Sequence, residues 1–166
     1  MEYRVGLGYD FHPFQSGGRL MLGGVQIPHG RSLAGHSDAD VLVHAVADAL
    51  LGATGLRDIG SYFPDTDPRY RDVSSLLILE KVYRLVRGKG YKVGNVDVTV
   101  VAEEPRIVTH VDAMKANLAR ILYVKTSHIA IKATTMEGRG VVGRREGIAA
   151  QAVALVVRVG TGEEVE

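Results

Sequence analysis

Cysteine is absent from the chain, which removes disulfides, thiolate metal sites and a cysteine nucleophile from consideration. No apolar stretch approaches the roughly 20 residues that span a bilayer. The opening residues Met1-Glu2-Tyr3-Arg4-Val5-Gly6 lack the apolar region of a signal peptide, so a soluble cytoplasmic protein is expected. An excess of one charge is missing too: 20 Lys and Arg stand against 19 Asp and Glu, a formal net charge of +1. Nothing here drives general association with nucleic acid or a membrane surface. Internal repeats and low-complexity linkers are also lacking. With 166 residues, 46% hydrophobic and 23% charged, a single domain over 1–166 with its own core is expected, the last ~8 residues forming a tail.

What is present alternates between strand and helix signals. Tyr3 to His12 reads as a first strand. Leu20-Met21-Leu22 and Val25-Gln26-Ile27 flank Gly23-Gly24, a pair that tolerates the positive φ of a two-residue hairpin turn. From Ser37 to Leu51 the spacing of Leu42, Ala45, Val46, Ala49 and Leu50 is helical, with Ser37 and Asp40 at capping-box positions. Residues 53–72, rich in Gly, Pro and Asp, predict a long functional loop with one helical turn. A second helix is expected from Ser74 to Arg87 and a third, opened by Thr109 and Asp112, to Leu122. Strands are expected around Val96-Val98-Val100, at Ser127–Thr135 and at Gly147–Arg158. The fold class is α+β: one mixed, mainly four-stranded sheet with helices on one face.

Two acid-histidine clusters carry the chemistry. Asp10 and His12 lie two apart on a predicted strand and so share a face. His36-Ser37-Asp38-Ala39-Asp40 precedes His44 and Asp48, the last pair one helical turn apart. Asp10, His12 and His44 make a candidate set of three ligands with an open fourth position, as catalytic zinc sites have. The i+4 spacing lets Asp48 orient the His44 ring. Spacing alone leaves two other readings open, an Asp-X-His pair on a surface strand and a core histidine satisfied within an apolar helix.

Further segments follow in order: Gly8 to His12, Ala34 to Val41, Asp48 to Ala53, Asp58-Ile59-Gly60, Phe63 to Pro68, Gly94 to Asp97, Lys132 to Glu137 and Gly147-Ile148-Ala149. Together they resemble the 2-C-methyl-D-erythritol 2,4-cyclodiphosphate synthase family of the non-mevalonate isoprenoid pathway, over roughly Val5 to Val157. The resemblance implies conversion of 4-diphosphocytidyl-2-C-methyl-D-erythritol 2-phosphate to the cyclic diphosphate with release of CMP. The substrate's own 2-phosphate would be the nucleophile.

The resemblance also implies roles. Asp10, His12 and His44 would hold zinc, and Glu137 a second divalent ion, magnesium or manganese. His36 and Thr135 would polarise the phosphates, with Phe11 and Ser37 beside the substrate. Asp58, Ile59, Gly60, Phe63, Pro64, Asp65, Thr66 and Asp67 would close over the methylerythritol unit. Ala102, Glu103, Glu104, Pro105, Arg106, Ile107 and Val108 would form one wall of a cytidine pocket, with Lys132, Ala133, Thr134 and Thr135 as the other and Met136 also against the substrate. Arg144 would be directed towards phosphate, and Val141 would also contact the substrate. A homotrimer with active sites between subunits is implied, its partners a cytidine diphosphate substrate and CMP.

Departures from the family pattern are Arg106 where lysine is frequent, Val141 where an aromatic is, and Gln151 where an acid is. The last two put a regulatory ligand in the family's central cavity in doubt. Two further functions fit the clusters without the resemblance: a zinc phosphohydrolase acting on nucleotides, and a non-catalytic nucleotide-binding module.

Overall fold

The computed structural model describes residues 1–160, so most of the expected tail lies outside the described residues. Strand β1 (Tyr3–Ser16) leads to the hairpin β2 (Leu20–Leu22) and β3 (Val25–Ile27), then to the short strand β4 (Arg31–Leu33) and helix α1 (Val41–Ala53). The single turn α2 (Ile59–Tyr62) precedes α3 (Ser75–Gly88), β5 (Tyr91–Val101), α4 (Val111–Leu122), β6 (Ile129–Thr134), the turn α5 (Gly140–Gly143) and β7 (Gly147–Arg158). The sheet order is β4-β1-β7-β5-β6. Its β5–β6 pair is parallel and the other pairs antiparallel, while β2 and β3 pair separately.

The sheet thus has five strands rather than four. β4 is only three residues long, too short for a periodicity signal, and it pairs with a continuation of β1 beyond His12. Pro13 sits where β1 hands over from one neighbour to the other: Pro13 faces Gly147 of β7, and Phe14 faces Leu33 of β4. Its missing N–H therefore falls at a change of partner, where a strand tolerates it. No helix among the described residues is long and apolar enough to cross a membrane.

α1 begins at Val41, later than the expected Ser37, because Ala39 takes φ 55 and breaks the helical run. Asp40 is the cap. Its wholly buried carboxylate accepts from Val43 N (3.1 Å) and, across the fold, from Gly23 N (2.9 Å) and Gly24 N (2.7 Å). One side chain thus ends a helix and docks the hairpin. Asp40→Ala leaves three N–H groups, two of them buried, without this acceptor and is expected to cost roughly 3 kcal/mol. Urea denaturation measures it; a loss below about 1 kcal/mol would mean that water takes over the bonds. The capping expected of Thr109 is not observed either: Thr109 lies inside a 3-10 turn, and α4 starts without a side-chain cap.

α1 lies across β1 and β7 at unusually close range. A Cβ on Gly6 would stand 1.9 Å from the Ala49 carbonyl oxygen, and one on Gly8 1.9 Å from that of Ala45. Only bare backbone fits there. Ala150, Ala152 and Ala154 of β7, all buried, extend the shallow bed. The opposite face of the sheet carries Tyr3, Val5, Leu7, Tyr9 and Val153, all exposed.

Candidate metal centre and its surroundings

Asp10 and His12 project from the face of β1 that meets α1, and the close approach over Gly6 and Gly8 brings in His44 from the first turn of that helix. Asp10 Oδ2 lies 2.9 Å from His12 Nε2 and 3.2 Å from His44 Nδ1, and the two nitrogens are 3.1 Å apart. Among the described residues this is the one group of three that can hold a metal ion.

The outer hydrogen bonds decide which atoms face inward. His12 Nδ1 donates to the Ala34 carbonyl (2.7 Å), so Nε2 carries the lone pair. The Ser75 hydroxyl donates to Asp38 Oδ1. Ser75 Oγ therefore accepts from His44 Nε2 (2.9 Å), with Ser37 Oγ at 3.1 Å, so that the neutral His44 ring presents its lone pair at Nδ1. With both imidazoles neutral, two lone pairs and a carboxylate oxygen converge on one point, an arrangement relieved by a proton shared with Asp10 or by a metal ion. Tetrahedral zinc, with bonds of about 2.0–2.2 Å, separates its ligands by about 3.3–3.5 Å, slightly more than the observed triangle. The residues fit a divalent ion; the donor set suits zinc and does not discriminate against manganese, iron or cobalt.

Burial works to raise the Asp10 pKa, but the hydrogen bonds and charges of His12 and His44 outweigh it and hold the carboxyl far below its usual range. Burial likewise opposes a charged His12, yet its contact with Asp10 raises the imidazole pKa. Without an ion, His12 keeps a proton at pH values where a free imidazole has lost most of its own. Below that raised pKa, zinc affinity is expected to fall about tenfold per pH unit, with one proton released per ion bound. Calorimetry in buffers of different ionisation enthalpy counts that proton; binding that ignores pH across the imidazole range would contradict the assignment.

Asp48 does not orient His44. Its Oδ1 accepts from Ile59 N (2.7 Å), anchoring α2 instead; burial raises its pKa while that N–H lowers it. The orienting groups are Ser75 and Asp38. They lie 31 residues beyond and 6 before His44 in the chain, and no spacing rule connects them to it.

Beside the triad is a cavity of about 520 Å³. His36, Ser37 and Asp48 line one side, and Ile59, Gly60, Phe63, Pro64 and Asp65 the other, with Tyr70 and Ile78 added by the structure. His36 Nε2 donates to the Asp67 carbonyl (3.2 Å), tying the ring to the loop. Three residues expected of this loop do not line the cavity. Asp58 caps α2 through Ser61, whose N–H and hydroxyl lower its pKa. Asp67 is engaged with Arg69, which lowers its pKa, and Thr66 is exposed. Phe11 also points elsewhere, towards Gly147.

The remaining expected residues form a second group. Glu103 Oε1 accepts from Met136 N (2.8 Å), Ala102 N donates to the Thr134 carbonyl (3.0 Å), and Thr135 Oγ1 donates to Glu137 Oε1 (3.1 Å). The 102–108 loop and the 133–137 segment are therefore joined as two walls would be. Arg144 pairs with Glu146 (2.6 Å) and Val141 is exposed. None of these residues lines the cavity. Asp10 faces Ala150, which faces Val100, which faces Ala133: three interstrand steps, about 14 Å. One chain does not bring Thr135 and Glu137 to its own triad.

The model of the YgbB family matches residues 3–157. The chain is 56% identical over 154 residues to the 2-C-methyl-D-erythritol 2,4-cyclodiphosphate synthase of Moorella thermoacetica, covering 93% of this chain and 94% of that one. It is 54% identical over 153 residues to that of Syntrophomonas wolfei, covering 92% and 98%. Among solved structures, the CDP complex of IspF from Plasmodium falciparum superposes with a TM-score of 0.83 at 33% identity, covering 95% and 97%. The bifunctional IspDF from Campylobacter jejuni gives a TM-score of 0.91 at 39% identity, covering 95% of this chain; the match spans 42% of that longer chain.

Proposed function

The chain belongs to the YgbB family, and on that footing we propose that it is a 2-C-methyl-D-erythritol 2,4-cyclodiphosphate synthase, a cyclising lyase. It converts 4-diphosphocytidyl-2-C-methyl-D-erythritol 2-phosphate to the cyclic diphosphate and CMP. The observation that carries this reading is the inward-facing Asp10–His12–His44 triangle on the wall of a cavity large enough for a phosphorylated polyol.

An oxygen of the 2-phosphate forms the new bond to the β-phosphorus, the bond from that phosphorus to the α–β bridging oxygen breaks, and CMP leaves carrying the bridging oxygen. No protein nucleophile is needed, which agrees with a site built from ligands and hydrogen-bond donors. Asp10, His12 and His44 would hold zinc, and Glu137 a magnesium or manganese ion; such ions supply Lewis acidity at phosphate oxygens. His36 and Ser37 orient phosphate from within the cavity, and Thr135 does so from the second group. Ile59 to Asp65 enclose the methylerythritol unit, and the 102–108 and 133–136 walls hold the cytidine. Positioning the two phosphates is then most of the catalysis.

A homotrimer accounts for the separation of the two groups, since a neighbour can bring its cytidine walls to this chain's triad. The helix-free sheet face supports it: Val5, Leu7 and Tyr9 are 66%, 59% and 64% exposed, an apolar surface that asks for cover. The protein works in the cytoplasm on a small molecule, without nucleic acid or membrane.

The test is incubation of the pure protein with the diphosphocytidyl substrate, zinc and magnesium, followed by CMP analysis and phosphorus NMR. A cyclic diphosphate with stoichiometric CMP is expected. A linear product would identify a phosphohydrolase instead.

A further inference from the structure

We propose that Arg31 is a positioning residue for the nucleotide, acting through Glu104; this rests on the reading of the 102–108 loop as the cytidine wall. Arg31 lies on β4, at the opposite edge of the sheet from β6, which carries the other wall. One arm of its guanidinium reaches the 102–108 loop and the other the turn before β7. Nη2 donates to Glu104 Oε1 (2.5 Å) and Nη1 to the Arg145 carbonyl (2.9 Å). The guanidinium stacks over Phe14, 4.1 Å from the ring centroid, and Phe14 in turn stacks on His29. His29 Nε2 (3.5 Å) and Arg145 Nη1 (3.6 Å) flank the same carboxylate.

Ordinary surface ion pairs contribute little, because holding two long side chains costs entropy and water screens the charges. Arg84–Glu80 is of that kind, with the arginine 74% exposed. Arg31 differs. Stacking on Phe14 already fixes its plane, the fork is used on two acceptors, and its side chain is 35% exposed. Glu104 needs such an anchor, because the loop has few others. Ala102 N bonds to the Thr134 carbonyl at its start and His110 N to the Ile107 carbonyl at its end, while Glu103 turns the other way, to Met136. Without Arg31, Glu104 keeps only the longer contacts with His29 and Arg145, and ordering the middle of the loop becomes part of the cost of nucleotide binding. Once the nucleotide is bound the loop is in place, so the chemical step is untouched.

The experiment compares Arg31→Ala, Arg31→Lys, Glu104→Ala and the double alanine variant, in CMP titration calorimetry and in steady-state turnover of the diphosphocytidyl substrate. Each alanine variant should raise the CMP Kd and the substrate KM about tenfold, and Arg31→Ala should do so with kcat within about twofold. The double variant should be no worse than either single one, since both remove the same contact. Lysine, which cannot span both acceptors, should restore part of the affinity. If Arg31→Ala does not fold, Glu104→Gln, which keeps the shape and removes the charge, carries the same expectation.

Unchanged Kd in folded variants, additive penalties, or a fall in kcat at constant KM would each overturn the inference while leaving the synthase reading intact. Wild-type protein that turns over substrate but does not bind CMP would overturn the loop assignment and the inference together. Wild-type protein without turnover is the separate failure of the synthase reading.

Discussion

His44→Ala is expected to lower CMP release by roughly two to three orders of magnitude, the range for losing one preorganised electrostatic group. The substitution removes one of three converging donors and leaves Asp10 and His12, two ligands where zinc is ordinarily held by three from the protein. It also strands a small buried network, because Ser75 and Asp38 are arranged around the His44 ring. The fold should survive. His44 occupies the first turn of α1, and its neighbours Leu42, Val43, Ala45 and Val46 remain wholly buried in the core. Zinc stoichiometry, thermal melting and CMP release should be measured on the same preparation. A folded, zinc-free variant that retains a tenth of its turnover would detach the triad from catalysis.

Among the glycines of the described residues, Gly8→Ala should be one of the two most damaging added methyl groups, with its twin at Gly6. The new Cβ would stand 1.9 Å from the Ala45 carbonyl oxygen and 2.8 Å from Ala49 N. Both are backbone atoms of α1, so no side chain can rotate away and the helix itself has to lift by an ångström or more. Overpacking a core ordinarily costs 1–3 kcal/mol; with rigid backbone on both sides, about 4 kcal/mol or more is expected. Lifting α1 carries His44 off a triangle whose edges are 2.9–3.2 Å, so zinc affinity falls with stability. Gly52→Ala is the control: it lies in the same helix, and nothing stands within 4 Å of its added Cβ. That change should be neutral or stabilising by up to about 1 kcal/mol. Equal urea midpoints for the two variants would contradict the account.

What could be read from the sequence follows what is local. The Gly23-Gly24 hairpin, helix α3 within a residue of the expected Ser74 to Arg87, and the bounds of β7 at Gly147 and Arg158 are all found where their residue patterns put them. The pairing of Asp10 with His12 needed only strand alternation. His44 needed more: its approach depends on Gly6 and Gly8, and a glycine in a strand reads as weakness unless the helix above it is known. Asp48 shows the reverse error, since i+4 spacing allows a contact that Ile59 N takes instead. Ser75 and β4 were not legible. The first is joined to His44 only by the tertiary packing of α3 on α1, and the second is too short to show alternation.

Gly6 and Gly8 also act as a ruler during folding. Along the helix-facing side of β1 the order is Arg4, Gly6, Gly8, Asp10, His12. A slip of β1 by one residue would place Leu7 beneath α1, and a slip by two would place Arg4 or Asp10 there; each has a Cβ where only hydrogen fits. One alignment alone lets the helix settle, and that same alignment sets the carboxylate and the imidazole opposite His44. The spacing of the three candidate ligands is therefore inherited from strand register, and the error-checking is done by two residues that have no side chain at all.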